Sequence, residues 1–210
     1  MTADRTVLVP APRLARWFEN FTARHGANDL SVRAGRLVAT AEDGAVATAS
    51  LPFARSYAGP PQVASFREAA TAPVRWGLLL VRKGGFAVAA GTTERAEVSK
   101  VGRRHVQGRT KAGGQSQQRF ARRRDNQARQ AYEAAADHAH RLLVAAGRPP
   151  EVLVCGGDRS AVDEVLGDPR LRLLATARVD RWLPVPDPRR DVLDRAVADA
   201  WSATLSVSEP

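Results

Sequence analysis

The chain has 210 residues, 44% of them hydrophobic, a single cysteine and a formal net charge of +10. That length and apolar share suit one ordinary domain plus a smaller one and argue against a disordered chain. No run of 18 apolar residues occurs and Met1–Pro12 lacks a basic stretch followed by an apolar one, so neither a membrane span nor a secretory signal is expected; the lone Cys155 excludes an intrachain disulfide and fits a reducing cytoplasm, the expected location.

Residues 1–70 read as a small α+β unit of unassigned role. Leu14, Trp17, Phe18 and Phe21 recur at helical spacing, with Pro12 at the start and Gly26 at the stop. Two β-prone runs follow, Leu30–Ala39 and Ala45–Leu51, joined by a turn at Glu42-Asp43-Gly44, and residues 65–72 suit a short helix or linker. Residues 71–210 read as a second unit. Trp76–Val81 is apolar on both faces and should be a central strand. Phe86–Ala90 and a polar strand over Arg95–Gly102 complete an antiparallel meander. From about 116 to 146 there is no Pro or Gly and Ala, Arg and Gln dominate, which predicts a long helix; Ala128, Tyr132, Ala135, Ala139, Leu142, Leu143 and Ala146 form an apolar stripe on its second half only. Glu151–Cys155 reads as a buried strand, Ser160–Leu166 as a helix with a Ser160/Asp163 cap pattern, Leu171–Val179 as a strand, Pro184–Pro188 as a turn and Asp191–Leu205 as a final helix. The fold class is therefore α/β (α+β), a mixed sheet with an antiparallel meander and flanking helices.

The charge is concentrated. Lys100–Arg124 holds nine Lys or Arg and no Asp or Glu, so these nine account for all but one of the ten excess positive charges. A basic segment of this kind is either a solvated charge run or an electrostatic footprint for a polyanion. Within it, residues 108–118 form a glycine loop at the head of the long helix, and Gly113-Gly114-Gln115 leads into Ser116, Arg119, Phe120, Ala121, Arg122, Arg123 and Arg124. A glycine turn entering a helix is the plain structural reading of those three residues.

The run Gly113-Gly114-Gln115-Ser116 followed by Arg119, Phe120, Ala121, Arg122 and Arg124 closely resembles the central domain of eukaryotic and archaeal class I peptide-release factors. The pattern of elements agrees over roughly residues 74–205, and the resemblance implies a ribonuclease-H-like topology. Residues 1–70 show no codon-reading motif, so the architecture is similar to the Vms-type release factors of ribosome quality control and to their actinobacterial branch. The resemblance implies stop-codon-independent hydrolysis of peptidyl-tRNA on the large ribosomal subunit; no cofactor, no metal and no membrane partner are expected, and the protein is expected to be a monomer. Catalysis would rest on Gln115, Gly113 and Gly114. The RNA contacts would come from Arg103, Arg104, Arg109, Lys111, Arg119, Arg122, Arg123 and Arg124. A glutamine amide does not ionise near neutral pH, so Gln115 would position water rather than act as a base, while the two glycines allow positive φ and close backbone approach.

Two rival readings stay open: a non-catalytic tRNA- or rRNA-binding module, and a metal-independent nuclease acting near the tRNA 3′ end. A two-metal nuclease is disfavoured because Arg75–Gly91 contains no Asp or Glu. His138 and His140 are two apart on a helix and share no face; His25 and His105 have no ligand partners nearby in sequence. Cys155 reads as a small buried hydrophobe, Gly156-Gly157 as a strand-end turn rather than a phosphate loop, and Trp17, Trp76, Trp182 and Trp201 as core or partly buried.

Overall fold

The computed structural model describes residues 5–103 and 128–209. The chain divides into two units, residues 1–73 with 198–210, and residues 74–197.

The first unit is a five-stranded antiparallel sheet with two helices. Its strands are β1 (Arg5–Pro10), β2 (Asn28–Arg33), β3 (Arg36–Ala41), β4 (Val46–Ser50) and β10 (Ser202–Ser208), in the order β1-β10-β4-β3-β2. Alternation fixes the buried face. Val9, Leu37, Ala39, Ala47, Ala49, Ala203 and Leu205 point to one side and pack with Leu14, Phe18 and Phe21 of α1 (Leu14–His25) and Phe66 of α2 (Val63–Thr71). The expected stop at Gly26 is met: its φ is +86° and its N–H donates to the Thr22 carbonyl. The Glu42-Asp43-Gly44 turn is also present, with Gly44 at φ +92°.

Three expectations here are corrected. Leu30–Ala39 is not one strand but the two strands β2 and β3, joined by a two-residue turn in which Ala34 and Gly35 have φ of +47° and +70°. Positive φ at both turn residues is the hairpin geometry that matches strand twist, and Ala-Gly signals it less strongly than Asn-Gly. The strand β1 is an addition to the expected elements. Finally, Asp191–Leu205 is not one helix: the last helix ends at Ala200, and residues 202–208 form β10, between β1 and β4. Ser202, Thr204, Ser206 and Ser208 alternate with Ala203, Leu205 and Val207, which is a period of two, not 3.6. Residues 198–210 thus belong with the first unit rather than with the second, to which the sequence assigned them.

The second unit is a mixed sheet, and here the expected fold class holds. β5 (Trp76–Arg82), β6 (Gly85–Gly91) and β7 (Val98–Arg103) form the antiparallel meander; β8 (Val152–Gly157) and β9 (Arg178–Leu183) add in parallel, in the order β7-β6-β5-β8-β9. β5 is central as expected. Leu78, Leu79 and Leu80 are each 0% exposed, so each contributes about 2 kcal/mol of burial. One face carries Leu79, Val81, Phe86, Val88, Leu153 and Cys155, packed with Ala131, Tyr132, Ala135, Ala136 and Ala139 of α3 (helical from 128 to 139 in the described residues) and with Ala161, Val162 and Val165 of α4 (Arg159–Leu166). Leu78, Leu80, Ala87, Ala89 and Val154 point to the other face and are buried too.

The long helix expected over 116–146 is seen from 128; residues 116–127 lie outside the described residues. Its last turns, His140–Val144, are π-helical, not α-helical. Leu171–Val179 is not a strand. Asp168 accepts from the Arg170 N–H, Pro169 follows the cap, and Leu171 and Leu174, three apart, bury one side of a 3-10 turn leading into α5 (Arg172–Ala177). The strand begins only at Arg178. The cap of α4 is Asp158, whose carboxylate accepts from the Ser160 N–H, rather than the Ser160/Asp163 pair. Residues 190–200 are α6 (Arg190–Ala200).

Candidate functional site

Of the residues expected to act, Gly113, Gly114, Gln115, Arg104, Arg109, Lys111, Arg119, Arg122, Arg123 and Arg124 lie outside the described residues, as does His105. Arg103 is the last residue of β7 and pairs in register with Gly85. Residues 103 and 128, which flank that segment, both belong to the second unit.

Arg103 lies at one end of the second sheet. β5, β7, β8 and β9 run parallel to one another, so Arg82, Arg103, Gly157 and Leu183 all end strands on the same side. The chain leaves β7 there, next to the Lys83-Gly84 turn that joins β5 to β6. It re-enters the described structure at residue 128 in α3, whose Ala131 and Tyr132 are buried in one core with Val81 of β5 and Phe86 of β6, near the same end of the sheet. α3 then runs back across the sheet to the opposite end, where Arg141, Leu142 and Leu143 border a cavity of about 300 Å³ with Trp76, Gly91 and Glu97. In open sheets with parallel strands, the carboxyl ends are where loops converge on ligands.

Two features shape this end. Gly157 has φ +96°, and a Cβ there would lie 2.3 Å from the Val81 carbonyl oxygen, so the backbone of β8 turns directly over β5. This is the strand-end turn expected at Gly156-Gly157. Asp158 follows it; hydrogen bonds from the Ser160 hydroxyl and from backbone N–H groups hold its carboxyl below the usual range, and Lys83 adds to the effect. An ionised Asp158 thus occupies the start of α4, which leaves no anion site there.

Basic and aromatic groups collect beside it. Arg82 donates to the Val185 carbonyl at 2.9 Å and lies 3.6 Å from the Asp187 carboxylate. The guanidinium of Arg159 sits 4.5 Å from the centroid of the Trp182 ring, and that of Arg178 sits 5.7 Å from it. Arg159, Arg178, Asp180, Arg181 and Trp182 border an open cleft of about 310 Å³. Sequence reasoning missed this group and read Trp182 only as core or partly buried; the ring is half-buried. The signal available was an aromatic residue flanked by Arg178 and Arg181 on one strand, which gains its meaning only when Arg159 arrives from α4.

Cys155, His138 and His25 sit in packed surroundings. Cys155 is 1% exposed, and burial pushes its thiol up to about 12, so no thiolate nucleophile exists near neutral pH. His138 packs against the Phe86 ring at 5.4 Å, and burial, with Arg141 and Lys100 nearby, lowers its pKa. His25 does have a partner: its Nδ1 lies 2.8 Å from Asp43 Oδ2 in the first unit. Asp43 is held below its ordinary range, first by the Ala45 N–H and then by His25. Among the described residues no three His, Cys, Asp or Glu side chains are grouped to hold a metal, and no helix is long and apolar enough to cross a membrane.

The family model of the Actinobacteria/chloroflexi VLRF1 release factor matches residues 74–206, well over half of the chain. Among solved structures, the crystal structure of Archaeoglobus fulgidus Pelota matches over 93% of this chain at 13% identity, with a TM-score of 0.30; the chain spans 62% of that protein's length. No curated protein matches.

Proposed function

The chain belongs to the Actinobacteria/chloroflexi VLRF1 release-factor family, and on that premise we propose that it hydrolyses the ester linking a nascent peptide to tRNA on the large ribosomal subunit, independently of a stop codon. The observation that carries this reading is the Gly113-Gly114-Gln115 run followed by Arg119, Arg122, Arg123 and Arg124 in a chain of that family. The reaction is attack by water on the ester carbonyl, with the tRNA ribose oxygen as leaving group. Gln115 orients the water through its side-chain amide, and its backbone N–H donates to the oxyanion that develops on the carbonyl. Gly113 and Gly114 let the backbone approach a substrate held in a narrow RNA-lined cavity. Arg103, Arg104, Arg109, Lys111, Arg119, Arg122, Arg123 and Arg124 hold phosphates on either side of the loop.

The described structure supports this division of labour. The segment that bears the motif follows β7 at the end of the sheet where β5 and β8 also finish. On this reading the chemistry is borrowed from the RNA cavity. The test is direct: large subunits carrying peptidyl-tRNA are mixed with the protein and peptide release is followed. Release by the wild type, absent with Gln115→Ala, is the expected result. Failure of the wild type to release peptide, with binding to the subunit retained, would leave an RNA-binding module in its place.

A further inference from the structure

None of the residues that border the cleft at Trp182 belongs to the proposed release machinery, and an irregularity of β9 shapes it. β9 is the edge strand of its sheet, and its register against β8 jumps: Leu153 pairs with Arg178 but Cys155 pairs with Trp182. A step of two residues along β8 is thus matched by a step of four along β9, so β9 bulges over Val179–Arg181. A bulge bends a strand and re-aims its side chains, and it breaks the unpaired edge that a strand-adding peptide would need. Here Arg178, Asp180, Arg181 and Trp182 are turned toward Arg159 of α4, and together they border about 310 Å³ of open space.

The chemistry of the lining is specific. The Arg159 guanidinium lies over the indole at 4.5 Å, and the Arg178 guanidinium lies 5.7 Å from the same ring while bonded to Asp163 at 2.6 Å. Three guanidiniums face two carboxylates, Asp180 in the lining and Asp163 behind it. A phosphate alone would have no use for the half-buried ring. An acidic peptide would have no flat group to place against it. A nucleotide has both a π-face for the indole–guanidinium platform and a phosphate for the excess positive charge of the lining, which is how single-stranded nucleic acids are held without base pairing. The volume is at the lower end of that of ligand clefts and suits one nucleotide rather than a duplex.

We infer that this cleft holds one unpaired nucleotide of RNA, as a second contact separate from the glycine loop, with the base stacked on the Arg159 guanidinium, which the Trp182 indole backs, and the phosphate at Arg178 and Arg181. The choice of RNA as the source of that nucleotide rests on the proposed ribosomal function; the stacking and the anion site rest on the cleft alone.

The probe is a fluorescein-labelled eight-nucleotide oligo(U) RNA, added to the full chain in which Arg122, Arg123 and Arg124 are replaced by Gln to lower binding by the basic segment. The RNA is expected to quench tryptophan emission, and Trp182→Leu to remove that quench. Arg159→Gln, at an exposed position, tests the site without disturbing the core; it is expected to weaken binding roughly ten-fold. A matched duplex should compete poorly. Wild-type affinity in both Trp182→Leu and Arg159→Gln overturns the cleft. Equal competition by free uridine monophosphate overturns RNA as its ligand in favour of a free nucleotide. The proposal and the proposed function fail separately: loss of peptide release activity leaves Trp182-dependent binding untouched, and unaltered RNA binding in the cleft variants leaves release by Gln115 untouched.

Discussion

Arg103 and Gly85 face each other at the last rung of the β6–β7 ladder, so the segment bearing Gly113-Gly114-Gln115 leaves the sheet at the end where β5 and β8 also finish. This relationship separates fold from chemistry. The described ladder ends at Arg103, ten residues before Gly113, so changes at the motif should alter activity without altering stability. Gln115→Ala is expected to abolish peptide release while melting temperature and subunit binding stay near wild type. Gly113→Ala and Gly114→Ala should impair release through backbone conformation, again with little change in melting temperature. A large loss of thermal stability in any of the three would make the loop a structural turn instead.

The first unit depends on the far end of the chain. β10 lies between β1 and β4, and Ala203 and Leu205 are each 0% exposed. Ending the chain at Trp201 would strip β1 and β4 of a neighbour each and open the core under α1 and α2. The expected outcome is loss of hydrogen-exchange protection across residues 28–50, with the strands of the second unit still protected. Full protection of β3 and β4 in the shortened chain would count against this.

How far the fold can be read in advance follows from the range of the interactions. β5 is legible because four successive apolar residues, Leu78–Val81, can only be buried on both faces. The stop at Gly26 is legible because positive φ at a glycine after a helix is a local matter. β10 escapes, although its alternation is present, because the pattern of α6 runs into it and its partners β1 and β4 lie at the other end of the chain. Leu171–Leu174 misleads for a different reason: a short apolar run fits strand or helix equally, and Asp168-Pro169 decides it. The loop residues carry their own signal through the motif. The Trp182 cleft does not, since it joins residues from α4 and β9 that no local pattern links.

Cys155 gives a prediction with a sign. Its thiol is pushed by burial from an ordinary value of 9.0 to about 12. The unfolded chain therefore loses this proton first. Its contribution favours the fold below pH 9.0 and is lost progressively as pH rises toward about 12. A thiol-specific reagent at pH 8 should leave the native protein unlabelled for hours and label it at once in denaturant. Prompt labelling of the native protein would show that Cys155 is accessible, contrary to its burial.

Gly157 and Gly147 form a controlled pair. Both have positive φ, +96° and +78°, but a Cβ at Gly157 would meet the Val81 carbonyl oxygen at 2.3 Å whereas one at Gly147 meets nothing within 4 Å. Gly147→Ala should cost about 1 kcal/mol, the ordinary penalty for a side chain in the left-handed region. Gly157→Ala should cost more than about 2 kcal/mol, because the β8 backbone must move off β5. Urea denaturation of the two variants checks the order; equal losses would mean that the contact at Val81 relaxes freely.

The basic segment should act through phosphate rather than through chemistry. If Arg122, Arg123 and Arg124 clasp RNA backbone, replacing them together should weaken binding to the large subunit and flatten its salt dependence. Each lost phosphate contact should remove about 0.7–0.9 from the slope of log affinity against log salt. Gln115→Ala should leave that slope unchanged, since a neutral amide releases no counterion. The paired measurement thus separates holding from hydrolysis: one lesion changes the slope and lowers release through occupancy, the other abolishes release at full occupancy. The same reasoning extends to substrate without the ribosome. If the protein borrows an RNA-lined cavity, free peptidyl-tRNA should be hydrolysed poorly even at saturating concentration. Efficient turnover of free peptidyl-tRNA, insensitive to salt and to Gln115→Ala, would point to a self-contained hydrolase and would sink the proposed mechanism.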